Sequence, residues 1–243
     1  MANLKRPGGE LASRPLHFIW VVDCSGSMYG EKIGTVNHAI QSTIPEMADA
    51  ARDNPNAQLL VRTLKFSTGA SWVTTNPVPI EDFAWDDLDA NGVTDLGKAF
   101  EMLAAQLTIP PMTDRALPPV LVLLSDGQPT DDYKKSLDKL LHLPWGKKAV
   151  RIAISIGQDA DDDVLEQFTG NKELVLQANN PQALVKMIKW ASTAASMVSA
   201  PASRPQDQDK IDLPKDPSAT NAPLILDMNN IPDPASIGAG DVW

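Results

Sequence analysis

Cysteine is nearly missing from this 243-residue chain: Cys24 stands alone, so no internal disulfide can form and nothing demands an oxidising compartment. Histidine is scarce too. His17, His38 and His142 lie far apart in sequence, with neither metal-ligand nor triad spacing, and read as ordinary core or surface residues. Lys and Arg number 21 against 31 Asp and Glu, and the net charge of −10 argues against a broad nucleic-acid surface or an anionic membrane as partner. No apolar run approaches the ~20 residues that span a bilayer, and no Walker-type phosphate loop occurs. Lys5 and Arg6 precede the apolar run from Leu16 to Val22, but that run is short, contains His17 and ends on Asp23 instead of a small-residue cleavage site. It reads as a first strand, and a cytoplasmic protein is expected.

What the chain does contain is Phe18-Ile-Trp-Val-Val-Asp-Cys-Ser-Gly-Ser-Met28. A β-branched and aromatic run stops abruptly at Asp23, as a buried strand does at its end. Asp23, Ser25 and Ser27 then alternate, so a roughly extended loop sets their oxygens on one side and turns Cys24 and Gly26 to the other. One carboxylate and two hydroxyls leaving a strand end form half of an oxygen-only site for a hard divalent cation.

This Asp-x-Ser-x-Ser pattern resembles the first loop of the metal-ion-dependent adhesion site (MIDAS) of von Willebrand factor type A domains. Two later stretches supply the remaining pieces in the same order: Asn91-Gly-Val-Thr-Asp-Leu-Gly97 with Thr94, and Val120-Leu-Val-Leu-Leu-Ser-Asp-Gly127 with Asp126. The resemblance covers about the first 195 residues. It implies a Rossmann-like three-layer α/β/α fold whose metal ligands are Asp23, Ser25, Ser27, Thr94 and Asp126. Asp95, Asp131 and Asp132 are weaker candidates; Asp131 and Asp132 read as favourable charges at a helix N-terminus, and Thr130 as its N-cap.

Periodicity supports the same class. A polar arm over 1–15 leads into strand 16–23, and a helix over 31–52 carries Pro45 inside it. Strands at 58–66 and 71–80 are too close to enclose a crossover helix and form an antiparallel hairpin at a sheet edge. Helix 95–107, strand 120–125, helix 131–142, strand 150–157, helix 162–168, strand 173–177 and helix 181–198 follow. Such alternation predicts a mainly parallel sheet, covered on both faces, with its ligand at the carboxyl ends of the strands. Residues 199–243 break the pattern: from Pro201 on, seven prolines and seven Asp accompany three basic residues, the composition of a solvated tail, with Pro223-Leu-Ile-Leu-Asp-Met228 as an apolar patch able to dock.

The five ligands bring at most two negative charges and three hydroxyls, a donor set suited to Mg²⁺ (or Mn²⁺ or Ca²⁺) that leaves the ion under-neutralised. The resemblance implies that an Asp or Glu of a partner protein completes the coordination, in a non-catalytic interaction module. Two alternatives stand beside it, a Mg²⁺-dependent phosphotransfer or hydrolase enzyme and a structural subunit with a vestigial metal site. The aspartyl-phosphate phosphotransferases use a second Asp two residues after the nucleophile, where this chain has Ser25. Residues 14–28 and 124–132 look most like bacterial stand-alone members of the tellurium-resistance TerY type. That likeness implies a scaffold or sensor acting with a PP2C-type phosphatase and a Ser/Thr kinase in stress response or phage defence. The family's last helix can move on ligand binding, which makes 181–198 the expected moving element.

Overall fold

The computed structural model describes residues 13–54, 57–126, 128–158, 160–199 and 231–232. Residues 1–12 of the expected 1–15 arm and the apolar patch 223–228 lie outside the described residues, and Arg14 and Pro15 belong to the first strand instead of the arm.

Strand β1 (Arg14–Asp23) organises the rest. Its side chains alternate between two apolar layers: Leu16, Phe18, Trp20 and Val22 join one cluster, Ile19 and Val21 the other. The same division recurs on β5 (Val120–Ser125), where Val120, Val122 and Leu124 oppose Leu121 and Leu123. A strand buried on both faces has no polar side to present, which is why these runs are continuously apolar in sequence.

Strand β2 (Ala57–Ser67) pairs parallel with one edge of β1, and β5 pairs parallel with the other. Beyond β5 come β6 (Val150–Ile156) and β7 (Val175–Ala178), both parallel to their neighbours. On the far side, β3 (Gly69–Trp72) and β4 (Val78–Pro79) pair antiparallel with β2, so the sheet runs β3-β2-β1-β5-β6-β7 with β4 also on β2. The three-layer fold, mainly parallel with an antiparallel edge, is as expected.

Helices α1 (Glu31–Arg52) and α6 (Pro181–Ser199) cover the face of the first cluster. Helices α2 (Leu96–Gln106), α3 (Tyr133–His142) and α5 (Asp162–Thr169) cover the second. Pro45 sits within α1. Ile231, though distant in sequence, is half-buried and packs against the first cluster.

Two expectations need correction. The single strand over 71–80 is broken into β3 and β4 by residues 73–77. There the Arg62 guanidinium takes the carbonyls of Thr74 and Thr75, and Pro77 has no N–H to give a ladder. A five-residue helix, α4 (Pro144–Lys148), also went unread; it starts on Pro144 and is too short for periodicity to reveal.

Candidate metal centre

Three loops meet at the carboxyl ends of β1 and β5. The first is Cys24–Tyr29. It is not extended throughout: Ser25 keeps an extended backbone (φ −69°, ψ 169°), but Gly26–Met28 closes a single 3₁₀ turn. Ser25 and Ser27 nevertheless stay together, their hydroxyl oxygens 3.0 Å apart. The turn places them on one side where the sequence pattern anticipated an extended strand to do so.

The second loop is delivered by the long irregular segment before α2. Buried Asn37 of α1 holds that segment: its Nδ2 donates to Leu88 O (2.9 Å), and its Oδ1 accepts from Trp85 Nε1 (3.1 Å) and Leu88 N–H (3.0 Å). Backbone bonds then stitch loop two to loop one. Asn91 N–H donates to Cys24 O at 2.7 Å, and Gly26 N–H donates to Gly92 O at 3.0 Å. Gly92 has φ +78°, and a Cβ there would come within 2.4 Å of Thr68 Oγ1, so only glycine fits.

Loop three follows Asp126. Thr94 and Thr130 clamp it to loop two: Thr94 N–H donates to Thr130 Oγ1 (3.1 Å), and Thr130 N–H donates to Thr94 O (2.8 Å). Thr130 therefore does not cap α3, whose N-cap position is Asp132 without a side-chain bond. Asp131 does serve a helix N-terminus, but that of α2, accepting from Gly97 and Lys98 N–H at 2.9 and 3.2 Å. Asp95 accepts from Gly69 N–H at 2.7 Å and Asp132 is exposed. The two engaged side chains, Asp95 and Asp131, thus brace neighbouring loops.

Asp23 itself is fully buried. Its Oδ1 accepts from Ser25 N–H at 2.8 Å and its Oδ2 from Ser125 Oγ–H at 2.6 Å. Burial pushes its pKa up to about 6, the hydrogen bonds from Ser125 and Ser25 pull the other way, and the charge of Asp126 adds to the rise. Asp126 is 4% exposed, and its Oδ1 has no hydrogen-bond partner. Neither carboxylate takes part in an ion pair among the described residues. Ser125 was missed by sequence reasoning. As the last residue of an apolar strand it reads as a terminator, and only the β1–β5 pairing shows its hydroxyl reaching Asp23.

Two buried carboxylates, one with an orphaned oxygen and neither in an ion pair among the described residues, beside two or three hydroxyls, are a donor set that a hard divalent cation fits. Among the described residues no group of three or more His, Cys, Asp and Glu is placed to hold a metal ion. Cys24 contributes nothing: burial pushes its thiol up to about 12, with the charges of Asp23 and Asp89 adding and Lys65 opposing.

The model of the von Willebrand factor type A domain matches residues 18–190. No curated protein matches the sequence significantly. Among solved structures, the chain is similar to a von Willebrand factor type A protein from Catenulispora acidiphila (15% identity, 75% of this chain and 43% of that one, TM-score 0.54). It is also similar to the pilus adhesin SpaC from Lactobacillus rhamnosus GG (15%, 76% and 30%, TM-score 0.60). A third likeness is to proximal thread matrix protein 1 from the mussel byssus with a zinc-occupied MIDAS motif (17%, 76% and 48%, TM-score 0.56). The chain spans less than half the length of each, and at these identities the likeness shows the fold alone.

Proposed function

The chain belongs to the von Willebrand factor type A family, and on that premise we propose that it is a non-catalytic, metal-dependent protein-interaction module. Asp23, Ser25, Ser27, Thr94 and Asp126 hold a divalent cation, Mg²⁺ in the first instance. The observation that carries this reading is the pair of buried carboxylates, Asp23 and Asp126, neither of them in an ion pair among the described residues. The zinc-occupied MIDAS motif of the mussel protein supports a divalent ion at such a site without selecting which one.

When bound, the cation supplies a Lewis-acidic position that accepts a carboxylate from a partner protein. The chain's own residues set the terms. Asp23 is oriented by Ser25 N–H and Ser125 Oγ–H, so its geometry is fixed before any ligand arrives. The loop of Thr94 is fixed by Asn37 and Thr130. Asp23, Asp126 and nearby Asp89 together repel a free carboxylate, so partner binding depends on the metal. No acid or base follows Asp23 at the place phosphotransfer requires: Ser25 is there, with its N–H bonded to Asp23 and its hydroxyl beside Ser27.

The narrower assignment is part of the same proposal. A cytoplasmic scaffold or sensor working with a PP2C-type phosphatase and a Ser/Thr kinase rests on the TerY-like stretches 14–28 and 124–132. No described helix is long and apolar enough to cross a membrane.

Titration of the apo protein with Mg²⁺ and Mn²⁺ tests the reading. Asp23→Ala should reduce affinity by more than about 100-fold, the upper end of what losing even a group that only supports a ligand costs, while circular dichroism stays native. Unchanged affinity would remove the metal site. Turnover of a phosphorylated substrate that vanishes in Asp23→Ala would favour the enzyme instead.

A further inference from the structure

Among the described residues only three large apolar side chains are exposed: Tyr29 at 79%, Ile109 at 57% and Val93 at 46%. Two of them flank the candidate metal centre. Tyr29 lies two residues after Ser27, and Val93 immediately precedes Thr94. Their loops touch through the Gly26–Gly92 hydrogen bond, and both backbones are held: Tyr29 N–H donates to Gly26 O (3.2 Å) and Val93 N–H to Thr68 Oγ1 (3.3 Å). One exposed apolar side chain is ordinary, but two on hydrogen-bonded neighbouring loops, both beside the candidate site, make a local apolar surface. Ile109 lies at the other end of the sheet, in the loop after α2 that Arg14 and Pro15 tie to the start of β1.

We propose that Tyr29 and Val93 form an apolar rim of the carboxylate-accepting site, so that the partner presents an Asp or Glu with an apolar side chain beside it, packed across both residues. This rests on the metal-dependent reading above. The acidic surroundings of Asp23, Asp126 and Asp89 make a bare carboxylate a poor ligand, and selectivity among acidic partners falls to the uncharged surface at the rim. An aromatic ring and a branched aliphatic chain on two braced loops provide that surface at little cost in conformational entropy.

Small carboxylates test the rim without knowing the partner. Acetate, 3-methylbutanoate and 3-phenylpropanoate are titrated into the full chain by NMR chemical-shift perturbation, with saturating Mg²⁺ and again with chelator. With Mg²⁺, 3-phenylpropanoate should bind about five- to tenfold more tightly than acetate, the gain expected from covering a few tens of Å² of apolar surface. The double variant Tyr29→Ser, Val93→Ser should bring that ratio to about one while Mg²⁺ and acetate affinities hold, and Ile109→Ser should leave the ratio as it was. A ratio near one in the native protein, with acetate still bound, would overturn the rim and leave the metal site standing. A ratio that survives the double variant would overturn it equally. Absence of any Mg²⁺-dependent carboxylate binding would overturn both readings.

Discussion

Two buried polar clusters sit on this sheet, and they end differently. At the β2 edge, Arg62 carries its charge beneath the surface with chain groups at each guanidinium nitrogen. Nε and one terminal nitrogen meet the carbonyls of Thr74 and Thr75, the other terminal nitrogen meets Gln106 Oε1, and the plane stacks over Trp72 at 3.6 Å. At the carboxyl ends of β1 and β5, Asp23 and Asp126 carry charges of the opposite sign, Asp23 with N–H and hydroxyl donors and neither in an ion pair among the described residues. An orphaned atom alone does not separate the two, since Gln106 Nε2 and Trp20 Nε1 are also buried without partners. The separation lies in net charge. A cation surrounded by carbonyls is complete, whereas two adjacent buried anions repel each other.

Three experiments can break or sharpen this contrast. The largest effect belongs to the completed cluster. Arg62→Ala strips donors from Thr74 O, Thr75 O and Gln106 Oε1 and removes the stack on Trp72, and should cost about 4 kcal/mol of stability. Urea denaturation measures this, and metal affinity should not change.

The second effect concerns the uncompensated cluster and depends on pH. The folded-state pKa of Asp23 is raised from 3.8 to about 6. Between those values the folded apo protein holds a proton that the unfolded chain has lost, so stability falls as pH rises through this window. The contribution lost is about 3 kcal/mol. Asp23→Asn should flatten that slope, and Mg²⁺ should stabilise the native protein more at pH 7 than at pH 4. Denaturation midpoints at several pH values, with and without Mg²⁺, decide it. A slope that persists in Asp23→Asn would assign the pH dependence to other groups.

The smallest effect tests the bracing. A Cβ at Gly97 would come within 2.8 Å of Asp131 Oδ2 and 3.0 Å of Tyr133 Cα. Gly97→Ala should therefore destabilise by about 1 kcal/mol although alanine is the better helix former. Thermal melting reads it directly, and a gain in stability would show that Asp131 does not lock α2 to loop three.

The strands on either side of the site were legible because β1 and β5 are apolar on both faces and end sharply on Asp23 and Ser125. Asp131 was legible as a helix-terminus charge but not as serving α2. Its own helix is next in sequence, and only the packing of α2 against α3 brings Gly97 within reach. Asn37 was invisible for a similar reason. Within an amphipathic helix it resembles an ordinary polar interruption, and its three hydrogen bonds go to Trp85 and Leu88, 48 and 51 residues away.

By itself, then, the sequence determined the class of fold, the order of its main strands and helices and the residue types offered at three loops, two of them at strand ends. Those depend on periodicity and local residue types, which act over a few positions. The tertiary structure alone decided that Ser125 reaches Asp23, that Thr130 clamps Thr94 instead of capping a helix, and that Tyr29 and Val93 stand exposed together beside the site. These facts depend on hydrogen bonds and contacts between segments 36 to 102 residues apart, or on a surface that exists only once the sheet has brought its loop ends together.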